Sequence, residues 1–238
     1  MEASASVEPI PGWLLTEDAD KLYELARSTP GPILEIGTYR GKSTVLMALA
    51  LKEAQRETLI YTLDVDRSAA EAAAAEARAR NVADQIVFLR GTVAAFARAY
   101  PHVRPALTFV DGDHSRAGVD RDLAVLEKLV PAGGLMLFHD FADPRNDDPA
   151  CPEIRVRPAV EASWVARHCD FVGEFGACGL FARRELIAPN MVAVVDILRL
   201  DGIRDQYRHR LRYPAGRLFK RARRKRSPAL GSDAPSSD

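Results

Sequence analysis

Pro32-Ile33-Leu34-Glu35-Ile36-Gly37-Thr38-Tyr39-Arg40-Gly41-Lys42-Ser43-Thr44 decides how this sequence folds. A short apolar run enters a turn holding two glycines and leaves as a helix-forming stretch. Glycine lets a backbone turn sharply and approach a ligand closely. A helix that begins at such a turn offers unpaired N–H groups at its start. The same succession recurs downstream. Apolar runs at residues 32–36, 58–63, 86–89, 106–110 and 135–138 alternate with helical patterns at 43–54, 68–80, 93–100 and 117–129. Continuous apolar runs of this length suit strands buried on both faces. Their regular alternation with helices implies parallel crossovers. The predicted fold class is therefore α/β, a doubly wound and mostly parallel sheet. Upstream, residues 14–27 read as a helix stopped by Ser28-Thr29-Pro30-Gly31. Downstream, 157–168 reads as a helix. Residues 171–175 and 179–183, joined by Gly176-Ala177-Cys178, read as a terminal antiparallel hairpin.

A chain of 238 residues can bury one substantial core. Its 47% hydrophobic and 28% charged residues are those of an ordinary globular protein. Cys151, Cys169 and Cys178 form no CxxC pair and are odd in number, so reduced thiols are expected rather than a disulfide framework or a zinc knuckle. The first 20 residues lack a basic start followed by an apolar run. No stretch approaches the roughly 20 apolar residues of a spanning helix. The expected location is the cytoplasm.

Net charge is zero, but it is unevenly placed. Residues 204–226 hold eleven Lys and Arg against one acid, Asp205, which leaves residues 1–203 with 22 basic and 30 acidic side chains. An acidic body with a basic tail reads as two functional units. The expected organisation is an N-terminal lead-in and helix (1–29), a main domain (30–184), a helical basic extension (185–226) including a helix over 191–200, and a disordered end (227–238). The tail reads as solvated or docked on an acidic partner. An anionic membrane surface is a second reading, and nonspecific nucleic-acid contact a third. Specific nucleic-acid recognition is not expected, because no stacking platform or groove-reading motif accompanies the charge.

In an open α/β sheet, ligands bind beyond the carboxyl ends of the strands. The residues there are Gly37 to Ser43 after the first run, Asp64 after the second, and Gly91-Thr92 after the third. Asp111-Gly112-Asp113-His114 follows the fourth and His139-Asp140 the fifth. Gly37 to Ser43 nearly spells a phosphate-binding loop, which would make the chain a nucleotide hydrolase. Such a loop needs four residues before Gly-Lys-Ser, and only Thr38, Tyr39 and Arg40 stand there. A dinucleotide-binding Gly-x-Gly-x-x-Gly is absent.

Taken in order, these strand-end motifs resemble the class I S-adenosylmethionine-dependent methyltransferases. Leu34-Glu35-Ile36-Gly37 with Gly41 looks like their first motif, and Asp64 falls where their second-strand acid sits. More narrowly, the resemblance is to the subfamily called methyltransferase domain 24. It is carried by Val110-Asp111-Gly112-Asp113-His114-Ser115, a helix with Asp120 and Asp122, Leu129-Val130-Pro131-Ala132-Gly133-Gly134, and Phe138-His139-Asp140-Phe141. That group is similar to macrolide-sugar O-methyltransferases and cephalosporin-hydroxylase-type proteins. The resemblance spans residues 30–183 and implies a Rossmann-like domain transferring a methyl group to a hydroxylated small molecule.

It also implies S-adenosylmethionine contacts at Glu35, Gly37, Thr38, Gly41, Ser43, Asp64, Thr92 and Asp111. Within that set, Asp64 would hold the ribose diol and Glu35 would stand near the amino group. Asp66 reads as a helix cap, and Thr92 equally as an adenine contact or a cap. Two designs serve the reaction. In one, Asp111, His139 and Asp140, with Asp113 as an alternative, bind Mg²⁺ or a similar divalent cation. In the other, His114 or His139 is a metal-free general base. His139-Asp140 stands where related sugar methyltransferases carry two acids, a departure that disfavours Mg²⁺. Arg145, Asn146, Asp147 and Asp148 form a polar stretch that is either an acceptor-binding lid or a solvated connection. The expected partners are a small-molecule acceptor and a second copy of the chain. A non-catalytic cofactor-binding protein is the remaining alternative.

Overall fold

A computed structural model describes residues 2–184, with side chains from residue 5 onward. The expectations for 185–226 and 227–238 lie outside the described residues. Five strands run parallel: β1 (Ile33–Ile36), β2 (Ile60–Asp64), β3 (Ile86–Arg90), β4 (Leu107–Val110) and β5 (Leu135–Phe138). The last two, β6 (Cys169–Phe175) and β7 (Cys178–Arg183), form the hairpin, and the sheet order is β3-β2-β1-β4-β5-β7-β6. The returning strand β7 inserts antiparallel against β5, pairing Leu137 with Leu180, and leaves β6 at the edge. From β1 the chain winds outward to β3 and then returns to lay β4 on the other side of β1. The direction of winding therefore reverses between β1 and β4, which is where such sheets open a crevice.

The helices are α1 (Glu2–Val7), α2 (Thr16–Ser28), α3 (Lys42–Glu53), α4 (Arg67–Ala79), α5 (Val93–Ala99), α6 (Arg116–Leu129), α7 (Val156–Ala162) and α8 (Trp164–His168). Side chains along a strand alternate between faces. Leu34 and Ile36 of β1 accordingly join one core with Phe96, Leu123, Val160 and Trp164. Glu35 turns the opposite way, under the start of α3. Helix α3 is buried on nearly every side, with α1, α2 and α4 against it. Helix α4 buries Ala69, Ala73 and Ala77, one stripe of small residues at helical spacing.

The structure departs from the sequence reading in two places. The helix expected over 157–168 is two helices broken at Ser163. That residue is extended (φ −93°, ψ −175°), and its hydroxyl accepts from the Val165 N–H at 3.1 Å, capping α8. Trp164 follows and donates from its indole to the Leu123 carbonyl at 2.8 Å, which fixes α8 on α6. The second departure is the lead-in. Residues 1–12 carry no helical pattern in the sequence, yet 2–7 form α1, and Val7 and Ile10 are each only 1% exposed, which makes this segment part of the core. Among the described residues, no helix is long and apolar enough to cross a membrane.

Candidate active site

At the β1–β4 reversal the chain must pass two loops through very little space. Gly37 makes this possible: its φ is +100°, and an added Cβ would sit 2.0 Å from the Asp111 carbonyl oxygen. No other residue combines that backbone angle with that clearance. Gly41 serves a different contact. Its φ is +86°, and an added Cβ would lie 2.7 Å from the Ala73 Cβ, so it lets α3 start hard against α4 rather than opening toward a ligand.

Asp64, at the tip of β2, shapes the same turn. Its Oδ2 accepts from the N–H groups of Thr38 at 3.2 Å and Tyr39 at 2.9 Å, while Oδ1 accepts from Asp66 at 2.8 Å. A phosphate-cradling loop would aim the Thr38 and Tyr39 amides at its ligand; here a carboxylate already takes them. Lys42, the other requirement of that reading, pairs with Glu8 at 3.3 Å. Asp66 caps α4 by accepting from Ser68, and the Thr92 hydroxyl caps α5 by accepting from Ala95 at 3.3 Å.

Glu35 is fully buried and does not line the cleft. Its carboxylate accepts from the hydroxyls of Ser43 at 2.6 Å, Thr44 at 2.5 Å and Thr62 at 2.5 Å. Burial outweighs those three bonds and pushes its pKa up to about 7. Any influence of Glu35 on a ligand therefore passes through Ser43, which does reach the cleft.

The cleft has a volume of about 1440 Å³, and Gly37, Thr38, Ser43, Asp64, Thr92 and Asp111 all line it. The strand-end residues thus share one rim, and the space exceeds the ~300–1,000 Å³ of an ordinary small-ligand pocket. Room remains for a second molecule beside the first. One wall was not expected. Gly12, Trp13, Leu14 and Leu15 line the cleft, and Trp13, 82% exposed, stacks on Tyr39 with ring centres 6.1 Å apart. Across the opening, Asp122 also lines the cleft, and burial raises its pKa to about 6.

Four side chains converge beside Gly37. His139 Nδ1 lies 2.9 Å from Asp111 Oδ1 and 3.4 Å from Asp140 Oδ1. His114 lies 3.1 Å from Asp111 through Nε2 and 3.5 Å from Asp140 through Nδ1. Burial alone would raise the Asp111 carboxyl, but the imidazoles of His114 and His139 beside it hold it below its ordinary value. Burial opposes charging His139 too; Asp111, Asp140 and Asp18 outweigh it and push the pKa up to about 9. The same balance raises His114. Asp113 stands apart, exposed and paired with Arg121 at 2.8 Å.

Asp140 holds a left-handed backbone, φ 56°, which is uncommon outside glycine. Buried Asn146 maintains it, donating to the carbonyls of Asp140 at 2.7 Å, Phe141 at 3.2 Å and Asp143 at 2.8 Å. Arg155 likewise gathers the carbonyls of Arg145, Asp148, Cys151 and Ile154. The polar stretch after β5 is therefore a stapled loop, and its Asp143, Arg145 and Ile154 line the cleft.

Residues 34–141 match the model of a methyltransferase domain. This stretch is a methyltransferase domain. Solved structures agree in fold. An O-methyltransferase from Bacillus cereus in complex with SAH aligns over 78% of this chain and 91% of its own, at 16% identity and a TM-score of 0.60. The O-methyltransferase TomG from Streptomyces achromogenes, involved in tomaymycin synthesis and in complex with SAM, aligns over the same shares at 21% identity and a TM-score of 0.59. Cofactor-bound Rv0187 from MTB aligns over 78% and 88%, at 21% and 0.60. The methyltransferase domain thus has the class I, Rossmann-like fold of S-adenosylmethionine-dependent enzymes.

The domain's polar cluster suits a divalent cation. Single donor atoms of Asp111, His114 and His139 lie within 4.8 Å of one another. His139 Nδ1 is buried and, despite its short distance to Asp111, has no hydrogen bond of acceptable geometry. A buried imidazole nitrogen beside two carboxylates supplies one of the donor atoms that such a site needs. Imidazole among carboxylates favours first-row transition ions over Mg²⁺, which prefers oxygen.

Proposed function

We propose that this methyltransferase uses S-adenosylmethionine to methylate a hydroxyl of a small molecule such as a sugar or a glycosylated natural product. The observation that carries this reading is the cleft itself. A turn shaped by Gly37 and Asp64 opens directly onto the Asp111, His114, His139 and Asp140 cluster. Asp64, half-buried, would accept bonds from the ribose hydroxyls with the lone pairs that Thr38, Tyr39 and Asp66 leave free. Thr38, Ser43 and Thr92 supply further polar contacts along the same wall.

When bound, S-adenosylmethionine supplies a methyl carbon activated by its sulfonium, and transfer is an in-line displacement. The chain must then align the acceptor oxygen and receive its proton. His114 is the group placed to do so. It is about a quarter exposed, whereas His139 is almost wholly enclosed, and Asp111 and Asp140 stand ready to stabilise the imidazolium that results. Asp111, His139 and Asp140, with His114 adjacent, would hold a divalent cation that lowers the acceptor's pKa. Trp13 and Tyr39 present flat apolar faces at the mouth, suited to a ring-shaped acceptor.

Isothermal titration with S-adenosylmethionine and its demethylated product tests the first half. Absence of binding at millimolar concentration overturns the proposal. Methyl transfer to hydroxylated acceptors, run with and without a chelator, tests the second.

A further inference from the structure

Asp122, in the second turn of α6, lines the cleft but takes no part in the polar cluster. The two stand on opposite faces of the sheet. Val110 and Phe138 point into the core that also holds Ile36, Val93 and Leu123, so Asp111 and His139, one residue further along, turn to the other face. Asp122 immediately precedes Leu123 of that core, and its Oδ2 lies 3.8 Å from where a Cβ on Gly112 would stand. On this face the cleft wall is apolar, made of Ile36, Leu63, Val65, Val93 and Ala94. The polar side chains nearby are committed. Asp113 pairs with Arg121 at 2.8 Å and accepts from the Ser115 N–H at 3.0 Å, and the Thr92 hydroxyl caps α5. Asp122, half-buried, takes no hydrogen bond from any described residue. Burial raises its pKa to about 6, against the pull of neighbouring Arg121. Above that pH a charged acceptor faces the cleft without a donor.

On the proposed function, S-adenosylmethionine has two ends to place around a ribose seated at Asp64. Its sulfonium must face the cluster of Asp111, His114, His139 and Asp140, where the acceptor is deprotonated. The adenine then extends the other way, onto the face that carries α5 and α6. A purine offers two flat apolar faces and a polar edge, where the exocyclic amine of adenine donates hydrogen bonds. Apolar side chains suit the faces, and a carboxylate, which accepts without donating, suits the amine. We propose that Asp122 recognises the adenine of S-adenosylmethionine, its carboxylate accepting from the exocyclic amine, and so selects adenine over purines that lack this group. A base without the amine would cover the carboxylate and leave it desolvated and unpaired, which is the source of the selectivity. The assignment rests on the methyltransferase reading and adds to it the residue that chooses the base.

The test is calorimetry of the full chain with two probes, S-adenosylhomocysteine and its analogue carrying hydrogen in place of the adenine amine. Wild type should bind the analogue about 10- to 100-fold more weakly, the worth of a hydrogen bond to a charged group. Asp122→Ala should weaken S-adenosylhomocysteine by a similar factor and bring the two affinities within about threefold of each other. A merely structural role would weaken both probes alike and leave their ratio intact. Equal affinities in wild type, or a ratio unchanged in Asp122→Ala, overturn the inference while leaving the methyltransferase reading in place. Should Asp122→Ala not fold, Asp122→Asn keeps the shape, loses the charge and should narrow the same ratio; an unchanged ratio there overturns the inference equally. If wild type binds neither probe at millimolar concentration, the methyltransferase reading falls and takes the inference with it.

Discussion

Replacing Glu35 by Gln separates what burial does to this carboxyl from what its three hydroxyl partners do. The side chain is fully enclosed, and its pKa is raised from 4.5 to about 7. In the unfolded chain it ionises near its ordinary value, so between those two pH values the folded state binds the proton more tightly. Unfolding free energy must then fall with pH across that window. Below about pH 4.5 the Glu35 contribution is fully present; above about pH 7 it is lost. At 1.36 kcal/mol per pKa unit the loss comes to roughly 3 kcal/mol. Gln is nearly isosteric with the protonated acid and cannot ionise. Its amide can accept from one or two of the hydroxyls of Ser43, Thr44 and Thr62 and donate to another.

The assay is urea denaturation of both proteins at half-unit steps from pH 4.5 to 8.5. The quantity to follow is the stability difference, Glu35→Gln minus wild type, because other titrating groups cancel in it. It should rise by about 3 kcal/mol over this range, most steeply between pH 5 and 7. A flat difference would refute the reasoning, since burial would then not dominate the carboxyl. A falling one would show that three hydroxyl bonds favour the charged form more than desolvation disfavours it.

Asp64→Ala should weaken S-adenosylhomocysteine binding about 10- to 100-fold, because hydrogen bonds to a charged group are lost; calorimetry that finds an unchanged affinity removes Asp64 from the ribose site. Gly37→Ala places a methyl group 2.0 Å from a carbonyl oxygen at a positive φ and should lower stability by about 1–3 kcal/mol or more. Thermal unfolding reads this directly, and an unshifted Tm would mean that the two loops are further apart than described. His139→Ala should abolish tight Co²⁺ binding and leave S-adenosylhomocysteine affinity within about threefold, since its ring is not among the proposed cofactor contacts; retention of the metal would place the site elsewhere. Trp164→Phe removes the indole donor to the Leu123 carbonyl, an oxygen that keeps its bond within α6, and should cost about 0.5–1.5 kcal/mol in thermal unfolding for the one hydrogen bond lost.

The five parallel strands and the crossover helices were legible because β1, β4 and β5 are buried on both faces and spell continuous apolar runs, and β2 and β3, though partly exposed, are apolar enough to read the same way. The strand-end residues were legible for the same reason, as the first polar positions after those runs. What sequence order conceals is contact across long separations. Asp18 meets the turn at Ala177 and Cys178 some 160 positions later, and nothing in its own helix distinguishes it from a capping acid. Gly41 reads as a ligand-facing glycine until Ala73 is found against it. Pro11 to Trp13 gave no periodic signal and Leu14 and Leu15 read only as the start of a helix, yet together they make a wall of the cleft. The break at Ser163 was hidden because helical spacing persists on both sides of it; the indole anchor of Trp164, a tertiary contact, decides it.

The two halves of the cleft draw on different parts of the chain. Floor and strand tips come from within 34–141, but Gly12 to Leu15 lie upstream of that stretch, and Asp143, Arg145, Ile154 and Ala177 lie downstream. On the proposed function, the residues that would hold the cofactor thus lie inside the matched segment, while much of the wall around the acceptor lies outside it.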